Sequence, residues 1–354
     1  MENSGNQNQS RFLIAAVLSL VVLFGWSYLF PPKKPAVTED ANVAANSNTS
    51  QAVTPQSAPT AQPLALAPVQ PQELTADNTP NRTITISSSL YEVKLDSKGA
   101  VATSWIIKKD KSPRGEFPVF ADGSTGDNEK PLQLIPSAAF SPTSREVPFR
   151  LATDDPNLTA AVNERNYQVS VPDESITLAD GQEKQIDFTL TDASGVEVKK
   201  SFLFRADSYV ADLAIDLKKG GQPVPNTKLL IGASIGDHAI NHHNFYHIES
   251  EAVAYVNDDI KRHQGGYAFT FDKDNQANLA DQGSVSWAGV GDAYFAMAAI
   301  PAAPVQGVEY RASKYDVQTQ PFFNSIFQWI TRSAQTSETR HMVTVYMDPA
   351  AGFF

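Results

Sequence analysis

One uncharged apolar run dominates the N-terminal part of the chain. It extends from Phe12 to Phe30 and is interrupted only by Ser19, Gly25 and Ser27. At about 1.5 Å of rise per residue, a helix of this length just spans a hydrocarbon core of roughly 30 Å. We therefore predict a transmembrane signal anchor at residues 12–30, which follows a short N-terminal tail at residues 1–11.

The composition of the run favours an anchor that stays on the protein. Phe12, Leu20 and Phe30 mark its start, centre and end, and Trp26 and Tyr28 lie where an interfacial aromatic belt is expected. A cleaved signal peptide has a shorter apolar core and a small-residue cleavage site, whereas this run ends in bulky residues and proline. A buried helix of a globular protein would have a polar face. The flanking lysines and arginine do not fix the orientation of the span.

Residues 31–82 have the composition of a disordered linker. They contain no aromatic residue and are rich in Ala, Pro, Gln, Thr and Asn. Such a segment cannot bury enough apolar surface to offset the entropy lost on ordering. As a coil, it would give a mean reach of roughly 40 Å.

Composition also excludes several functions. The chain contains no cysteine, so disulfides, thiol catalysis and cysteine zinc sites are excluded. Its formal net charge is -11, and no cluster of lysine and arginine occurs, which argues against nucleic acid as a partner. We see no nucleophile elbow, P-loop or dinucleotide-binding turn, and we predict no enzymatic activity and no cofactor.

The rest of the chain has the alternation of β-strands. Apolar and polar residues alternate from Tyr91 to Asp96, a turn follows at residues 97–99, and a second strand is predicted at residues 101–107. The same pattern predicts a hairpin at residues 186–204, with its turn at residues 192–195. The charges between Glu183 and Lys200 are assigned to the outward face of that hairpin.

Two further strands and the spacing of the turns indicate the fold class. Strands are predicted at residues 211–217 and 343–347. Many short strands separated by Gly, Pro and Asp turns are typical of a sandwich. We predict a mainly β protein with one large β-sandwich at residues 83–349.

One segment has helical rather than strand spacing. Its apolar residues predict a short amphipathic helix and are Phe322, Phe323, Ile326, Phe327 and Ile330. Such a helix could cover an open end of the sandwich, which we prefer, or could contact a partner or the membrane.

Four histidines form the only cluster that resembles a metal site. They are candidate ligands at His238, His242, His243 and His247. Pairs four residues apart share a helix face and can bind zinc. However, the acid of an HExxH motif is missing, and the segment lies between strand-like stretches. A polar loop with surface histidines is the preferred interpretation, and we predict no metal.

Two segments resemble one protein family. The first is the hairpin from Ser88 to Ala100, which contains Gly99 at its turn. The second runs from Trp287 to Pro301 and keeps Tyr294 and Phe295 at the family's spacing. Both are similar to the YidC family of bacterial membrane-protein insertases, and the resemblance covers the anchor, the linker and the β domain.

The resemblance implies a fold, a location and partners. The fold would be a galactose-mutarotase-like supersandwich on the periplasmic side of the bacterial inner membrane. The partners would be Sec translocon components of the SecD/SecF type, nascent inner-membrane proteins and the lipid bilayer. The family's five following transmembrane helices, with their groove and its arginine, are absent from this sequence, so residues 350–354 are expected to be a truncated end. The family positions expected in the core are Gly99, Trp287, Tyr294, Phe295 and Pro301.

Two alternatives to an insertase remain open on the sequence. One is a membrane-anchored carbohydrate-binding or mutarotase-like protein, in which His242 or His243 would contact sugar. The other is an envelope scaffold that has no part in insertion.

Overall fold

A computed structural model describes residues 79–112, 114–120, 131–140, 145–234, 249–291, 295–319 and 336–349. The predicted tail and anchor, almost all of the predicted linker, the four clustered histidines, the predicted helix at residues 322–330 and the end at residues 350–354 lie outside these residues. Among the helices within them, none has the length and apolar character needed to cross a membrane.

The described part is built mainly from strands and contains little helix, which confirms the prediction of a mainly β protein. The strands in chain order are β1 (Thr83–Ser87), β2 (Tyr91–Asp96), β3 (Val101–Ile107), β4 (Lys109–Ser112), β5 (Gly115–Pro118), β6 (Leu132–Gln133), β7 (Leu151–Ala152), β8 (Gln168–Val169), β9 (Ser175–Thr177), β10 (Glu183–Thr191), β11 (Val196–Arg205), β12 (Asp212–Lys219), β13 (Gln222–Pro223), β14 (Lys228–Ser234), β15 (Glu251–Val256), β16 (Asp259–Gln264), β17 (Gln276–Gly291), β18 (Ala296–Ala299), β19 (Val305–Thr319) and β20 (Thr336–Met347). The described helices are a 3-10 turn at Ser137–Ala139 and α1 at Pro156–Glu164.

The first sheet, which we call the N-terminal sheet, has the order β6-β3-β2-β1-β9. Its centre is the predicted hairpin, in which β2 pairs with β3 in antiparallel register. Tyr91, Val93 and Leu95 are buried and the residues between them are half-buried, so this prediction is confirmed.

The second sheet, the middle sheet, has the order β13-β12-β11-β10-β8. The second predicted hairpin is also confirmed, because β10 and β11 pair from Glu183↔Arg205 to Thr191↔Glu197. The assignment of all its charges to the outward face is wrong for Lys200. Along β11, Val198, Lys200 and Phe202 share the inward face, and Lys200 is 0% exposed.

The C-terminal sheet has the order β16-β15-β17-β19-β20-β14-β7, and β18 also pairs with β17. The predicted strand at residues 343–347 is confirmed as the end of β20. The long strand β17 changes register between Asp281 and Ser284, where Gly283 has a φ of +130°. A bulge at this position bends the strand. β17 pairs with β19 from Gln276 to Val285 on one side and with β15 from Val285 to Gly291 on the other.

The N-terminal and middle sheets pack through aromatic side chains. Phe204 of β11 lies 6.3 Å from Tyr91 and 6.2 Å from Trp105, measured between ring centroids. Phe202 contacts Phe188 edge-on at 5.7 Å. Tilted and edge-on contacts suit the ring quadrupoles. The described sheets are thus sandwich-like, as predicted.

Candidate functional site

An apolar cleft of about 530 Å³ opens between the N-terminal sheet, the C-terminal sheet and the segment at residues 209–211 that precedes β12. One wall is formed by β3 and the residues after β6, and the opposite wall is β18. The floor is formed by Leu229 and Ile231 of β14, which are 1% and 3% exposed. Its size is within the usual range for small-molecule and peptide-side-chain pockets.

The β18 wall is a short strand of small residues. Its sequence is Ala-Met-Ala-Ala, and Ala296 and Ala298 are exposed. The strand lies very close to β17, because a Cβ added at Gly289 would collide with the Met297 carbonyl oxygen and lie 2.7 Å from the Cα of Ala298. Within the described residues, β18 pairs with β17 alone.

The opposite wall is the outer end of the aromatic core. Trp105 and Phe149 both line the cleft, with ring centroids 6.2 Å apart. Behind them, Phe149 meets Phe202 edge-on at 5.0 Å. The wall is therefore supported by the rings of Phe202 and Phe204 on β11 and is closely packed.

Exposed apolar side chains surround the mouth of the cleft. Val210 and Ile300 line it and are 46% and 51% exposed. Phe117 of β5 is 51% exposed and is paired in register with Asp110, which also lines the cleft. Directly paired residues of antiparallel strands point to the same side. The exposed apolar surface therefore continues from the cleft onto the β4–β5 hairpin.

Two hydrogen bonds fix this hairpin beside the cleft. The Tyr209 hydroxyl donates to the Lys109 carbonyl at 2.6 Å, and Lys111 Nζ donates to the Asp207 carbonyl at 2.9 Å. Burial raises the pKa of Tyr209, with the nearby Asp110 carboxylate acting in the same direction. Tyr209 therefore stays a neutral hydrogen-bond donor at physiological pH.

The Lys200 side chain lies directly behind the aromatic wall. Its ammonium group donates to the carbonyl oxygens of Gly99 at 2.7 Å, Ala100 at 3.3 Å and Phe149 at 2.7 Å. The Tyr167 ring centroid lies 5.6 Å away. Burial lowers the pKa of Lys200 to about 7, and the positive charge of Arg150 adds to this effect.

Gly99, the first family position, is at the turn between β2 and β3. Its φ is +78°, and a Cβ at this position would lie 2.6 Å from the Asn163 carbonyl oxygen of α1. A glycine is therefore favoured here for two reasons: the backbone is left-handed, and the turn approaches α1 closely. Gly99 does not line the cleft, but its carbonyl oxygen and that of Phe149 accept hydrogen bonds from the same Lys200 ammonium group.

The other family positions lie on or near β18. Phe295 is half-buried and lines the cleft, and Pro301, which follows β18, is buried. Trp287 is half-buried on β17. Tyr294 lies outside the described residues, and the expectation that these positions form a family core stays a prediction.

The clustered histidines at positions 238, 242, 243 and 247 are not among the described residues, so their metal-binding capacity stays untested. The two remaining histidines are described. His263 Nε2 lies 2.7 Å from Asp281 Oδ2, and the Tyr310 hydroxyl donates to the same oxygen at 2.9 Å. His341 Nδ1 lies 3.4 Å from Glu249 Oε2. Both histidines are structural partners of carboxylates.

Most of the cleft has no signal in the sequence. Trp105, Phe149 and Tyr209 are distant in sequence, and no motif links them. Lys200 did carry a signal, because it occupies an inward position of an alternating strand.

The whole β region matches one family model. The model describes the YidC periplasmic domain and matches residues 83–345. The chain belongs to this family. Insertases of the YidC family are not enzymes, which confirms the prediction of a non-enzymatic chain.

Curated relatives agree with the family assignment. The chain is 28% identical over 303 residues to the membrane protein insertase YidC of Geotalea daltonii, covering 82% of this chain and 49% of the relative. It is 27% identical over 216 residues to that of Citrifermentans bemidjiense, covering 60% of this chain and 36% of the relative. The chain thus spans between about a third and a half of the YidC relatives it matches.

Solved structures show only a distant similarity. A putative aldose 1-epimerase from Escherichia coli is 11% identical with a TM-score of 0.34, over 76% of this chain and 99% of that one. A GH36 alpha-galactosidase from Geobacillus stearothermophilus is 11% identical with a TM-score of 0.32, over 75% of this chain and 41% of that one. The predicted mutarotase-like supersandwich stays a prediction.

Proposed function

We propose that this chain is the anchor and periplasmic domain of a YidC-type insertase, and that it assists insertion, folding and assembly of inner-membrane proteins by docking partners. The family match and the names of the relatives support this role. The same family match supports the location that we propose, with the β domain in the periplasm and the chain held at the inner membrane and its lipid bilayer.

The apolar cleft carries the proposal. It combines an apolar floor, an aromatic wall and the β18 strand, with exposed Val210 and Ile300 at its mouth. Alternate residues of an antiparallel strand direct their N–H and C=O groups away from the paired strand. An extended apolar segment could pair with those groups while its side chains enter the cleft, which is the mode called β-augmentation.

The occupant we propose is an apolar segment of a nascent inner-membrane protein in extended conformation. Such segments are rich in large aliphatic side chains and expose unpaired backbone groups before they form helices, which is costly in an apolar environment. At β18, the apolar cleft offers space for the side chains, and the strand edge offers hydrogen-bond partners for the backbone groups. Docking of SecD/SecF-type translocon components is a second part of the proposal and rests on the family resemblance.

Site-specific cross-linking in cells tests the cleft. A photo-reactive amino acid replaces exposed Ala298, in the complete protein of the host bacterium. The matched control replaces Thr191, which is exposed at the opposite end of the β10–β11 hairpin from the cleft-lining residues 209–211.

We expect adducts at Ala298 in which the partner peptide, identified by mass spectrometry, comes from an apolar span of an inner-membrane protein. The Thr191 control should not give these adducts. Equal adducts at both positions, or adducts confined to water-soluble segments, would contradict the proposal. Copurification of SecD/SecF-type components with the complete protein tests the second part independently.

A further inference from the structure

Lys200 connects two parts of the fold that are far apart in the sequence. All three of its hydrogen-bond acceptors are main-chain carbonyls, two from the β2–β3 turn and one from Phe149. An ammonium group has three donors, so the charged form matches three acceptors while the neutral amine matches only two. The side chain is 0% exposed.

Of the three residues that accept from Lys200, Phe149 is the one that lines the cleft. Its φ is +75°, a sparsely populated conformation for an aromatic residue. Its N–H donates to the Leu230 carbonyl at 2.8 Å, and its own carbonyl accepts from Lys200. Such a strained conformation persists only where contacts with neighbouring residues hold the backbone in place. The ring that this backbone presents lines the cleft.

We propose that Lys200 is a positioning residue for the cleft, because its ammonium group holds the Phe149 carbonyl and so sets the Phe149 ring in the aromatic wall. The inference rests on the proposed docking function of the cleft. Without the third donor, the Phe149 carbonyl or a turn carbonyl loses its partner, and the ring is no longer fixed. The occupant's affinity then falls although the sheets remain folded.

The ionic surroundings of Lys200 are simple. Arg150 is the charged group that acts on it, and the Tyr167 ring packs against it. Burial raises the pKa of Tyr167, which therefore stays neutral. Lys199, the next residue, is exposed and lies 3.0 Å from Asp187, so it provides a matched control.

The absence of cysteine from the chain allows a chemical test. In a Lys200→Cys variant, the single thiol is alkylated in denaturant to carry either an aminoethyl or a propyl group, and the full chain is refolded into lipid nanodiscs. The two products have nearly the same length, and only the first has an ammonium group. The probe is a short fluorescent peptide of alternating leucine and alanine with lysines at both ends, and empty nanodiscs correct for partition into lipid.

We expect the propyl form to bind the peptide about fivefold to tenfold more weakly than the wild type. This is the effect of one lost hydrogen bond, because only the bond to the Phe149 carbonyl acts on the cleft wall. The aminoethyl form should restore the affinity, and Lys199→Met should not change it. Equal affinity of the propyl, aminoethyl and wild-type forms would overturn the proposal. If Ala298→Trp, which fills the cleft, leaves wild-type binding intact, the proposed function fails instead.

A second measurement decides the question if the propyl form does not refold. Between about pH 6 and pH 9, peptide affinity of the wild type should fall as Lys200 loses its third donor. In the aminoethyl form the midpoint should move to lower pH, because the sulfur makes the ammonium group more acidic. Profiles that are flat, or that have the same midpoint in both proteins, would contradict a positioning role for residue 200.

Discussion

At the residue scale, three left-handed backbone positions meet at the side chain of Lys200. Gly99, Ala100 and Phe149 have φ values of +78°, +48° and +75°, and each gives its carbonyl oxygen to Lys200. Left-handed conformations cost about 1–2 kcal/mol for residues other than glycine. The Lys200 side chain gives each of these carbonyls a hydrogen-bond partner, and so the β2–β3 turn and the cleft wall meet at one side chain.

The turn glycine gives the first prediction. Gly99→Ala adds both backbone strain and a collision with the Asn163 carbonyl oxygen, which lies 2.6 Å from the new Cβ. Gly181 has nearly the same φ, +75°, and open space around it, so Gly181→Ala is the matched control. We expect about 1–2 kcal/mol of destabilisation in the control and about 1–3 kcal/mol more at Gly99, measured by urea unfolding. Equal effects would show that the contact with α1 is unimportant.

The pH dependence of Lys200 gives the second prediction. Burial lowers the pKa of Lys200 to about 7 in the folded state, from 10.5 in the unfolded chain. Between these values the unfolded chain binds the extra proton, so the Lys200 contribution to stability rises with pH, at up to about 1.4 kcal/mol per pH unit. The difference in unfolding free energy between wild type and Lys200→Met should therefore increase from about pH 7 to pH 9.

The matched control for this titration is Lys199→Met, whose stability should run parallel to that of the wild type. A constant difference between wild type and Lys200→Met would contradict the prediction. As the pH rises from about 7 to 9, we expect the unfolding free energy to increase and the affinity of the cleft for the peptide to fall. If Lys200 had only a structural role, the affinity would not fall while the stability increased.

Part of this residue-scale picture can be predicted from the sequence. The alternation of Val196, Val198, Phe202 and Phe204 places Lys200 on the inward face of β11. A lysine in such a strand is normally assigned outward because burying an unpaired charge is costly. Its carbonyl partners come from residues up to 101 positions away, and no local pattern identifies them.

At the element scale, β18 depends on the glycine opposite it. Gly289 pairs with Ala298, and the two strands approach so closely that a Cβ at residue 289 would meet the backbone of β18. Met297 in turn packs over Gly232 of β14, 3.0 Å from the position of an added Cβ. Small residues on three strands thus allow β18 to sit beside the cleft.

Replacing that glycine gives the third prediction. Gly289→Ala should push β18 from β17, lower stability by about 1–3 kcal/mol and speed amide exchange at Ala296–Ala299. Gly266→Ala is the control, because an added Cβ there would make contacts of 3.5 Å or more with flexible side chains. Unchanged exchange at β18 in the Gly289 variant would contradict the close packing described for this strand.

The sequence predicts the hairpins at this scale well. Local alternation and turn residues are sufficient for β2–β3 and β10–β11, where neighbouring strands pair. They are not sufficient for β18, a strand of four residues whose pairing depends on Gly289 and not on its own pattern. The family resemblance pointed to this segment, although as core and not as a cleft wall.

At the scale of the whole molecule, the cleft is a product of topology. Its residues come from β3 of the N-terminal sheet, from β14 and β18 of the C-terminal sheet, and from the segment that precedes β12. The sequence predicts a large sandwich but not where its sheets leave an opening. The exposed apolar residues around the mouth are consistent with a surface that is covered by a partner.

The central claim is that an extended apolar segment pairs with the edge of β18 in this cleft. Amide hydrogen exchange of the full chain in lipid nanodiscs, with and without the leucine–alanine peptide, tests it most directly. We expect slower exchange at alternate residues of Ala296–Ala299 when the peptide is added, with no change in β16, the outer edge strand of the same sheet. Unchanged exchange at β18, or equal slowing at both edges, would contradict it.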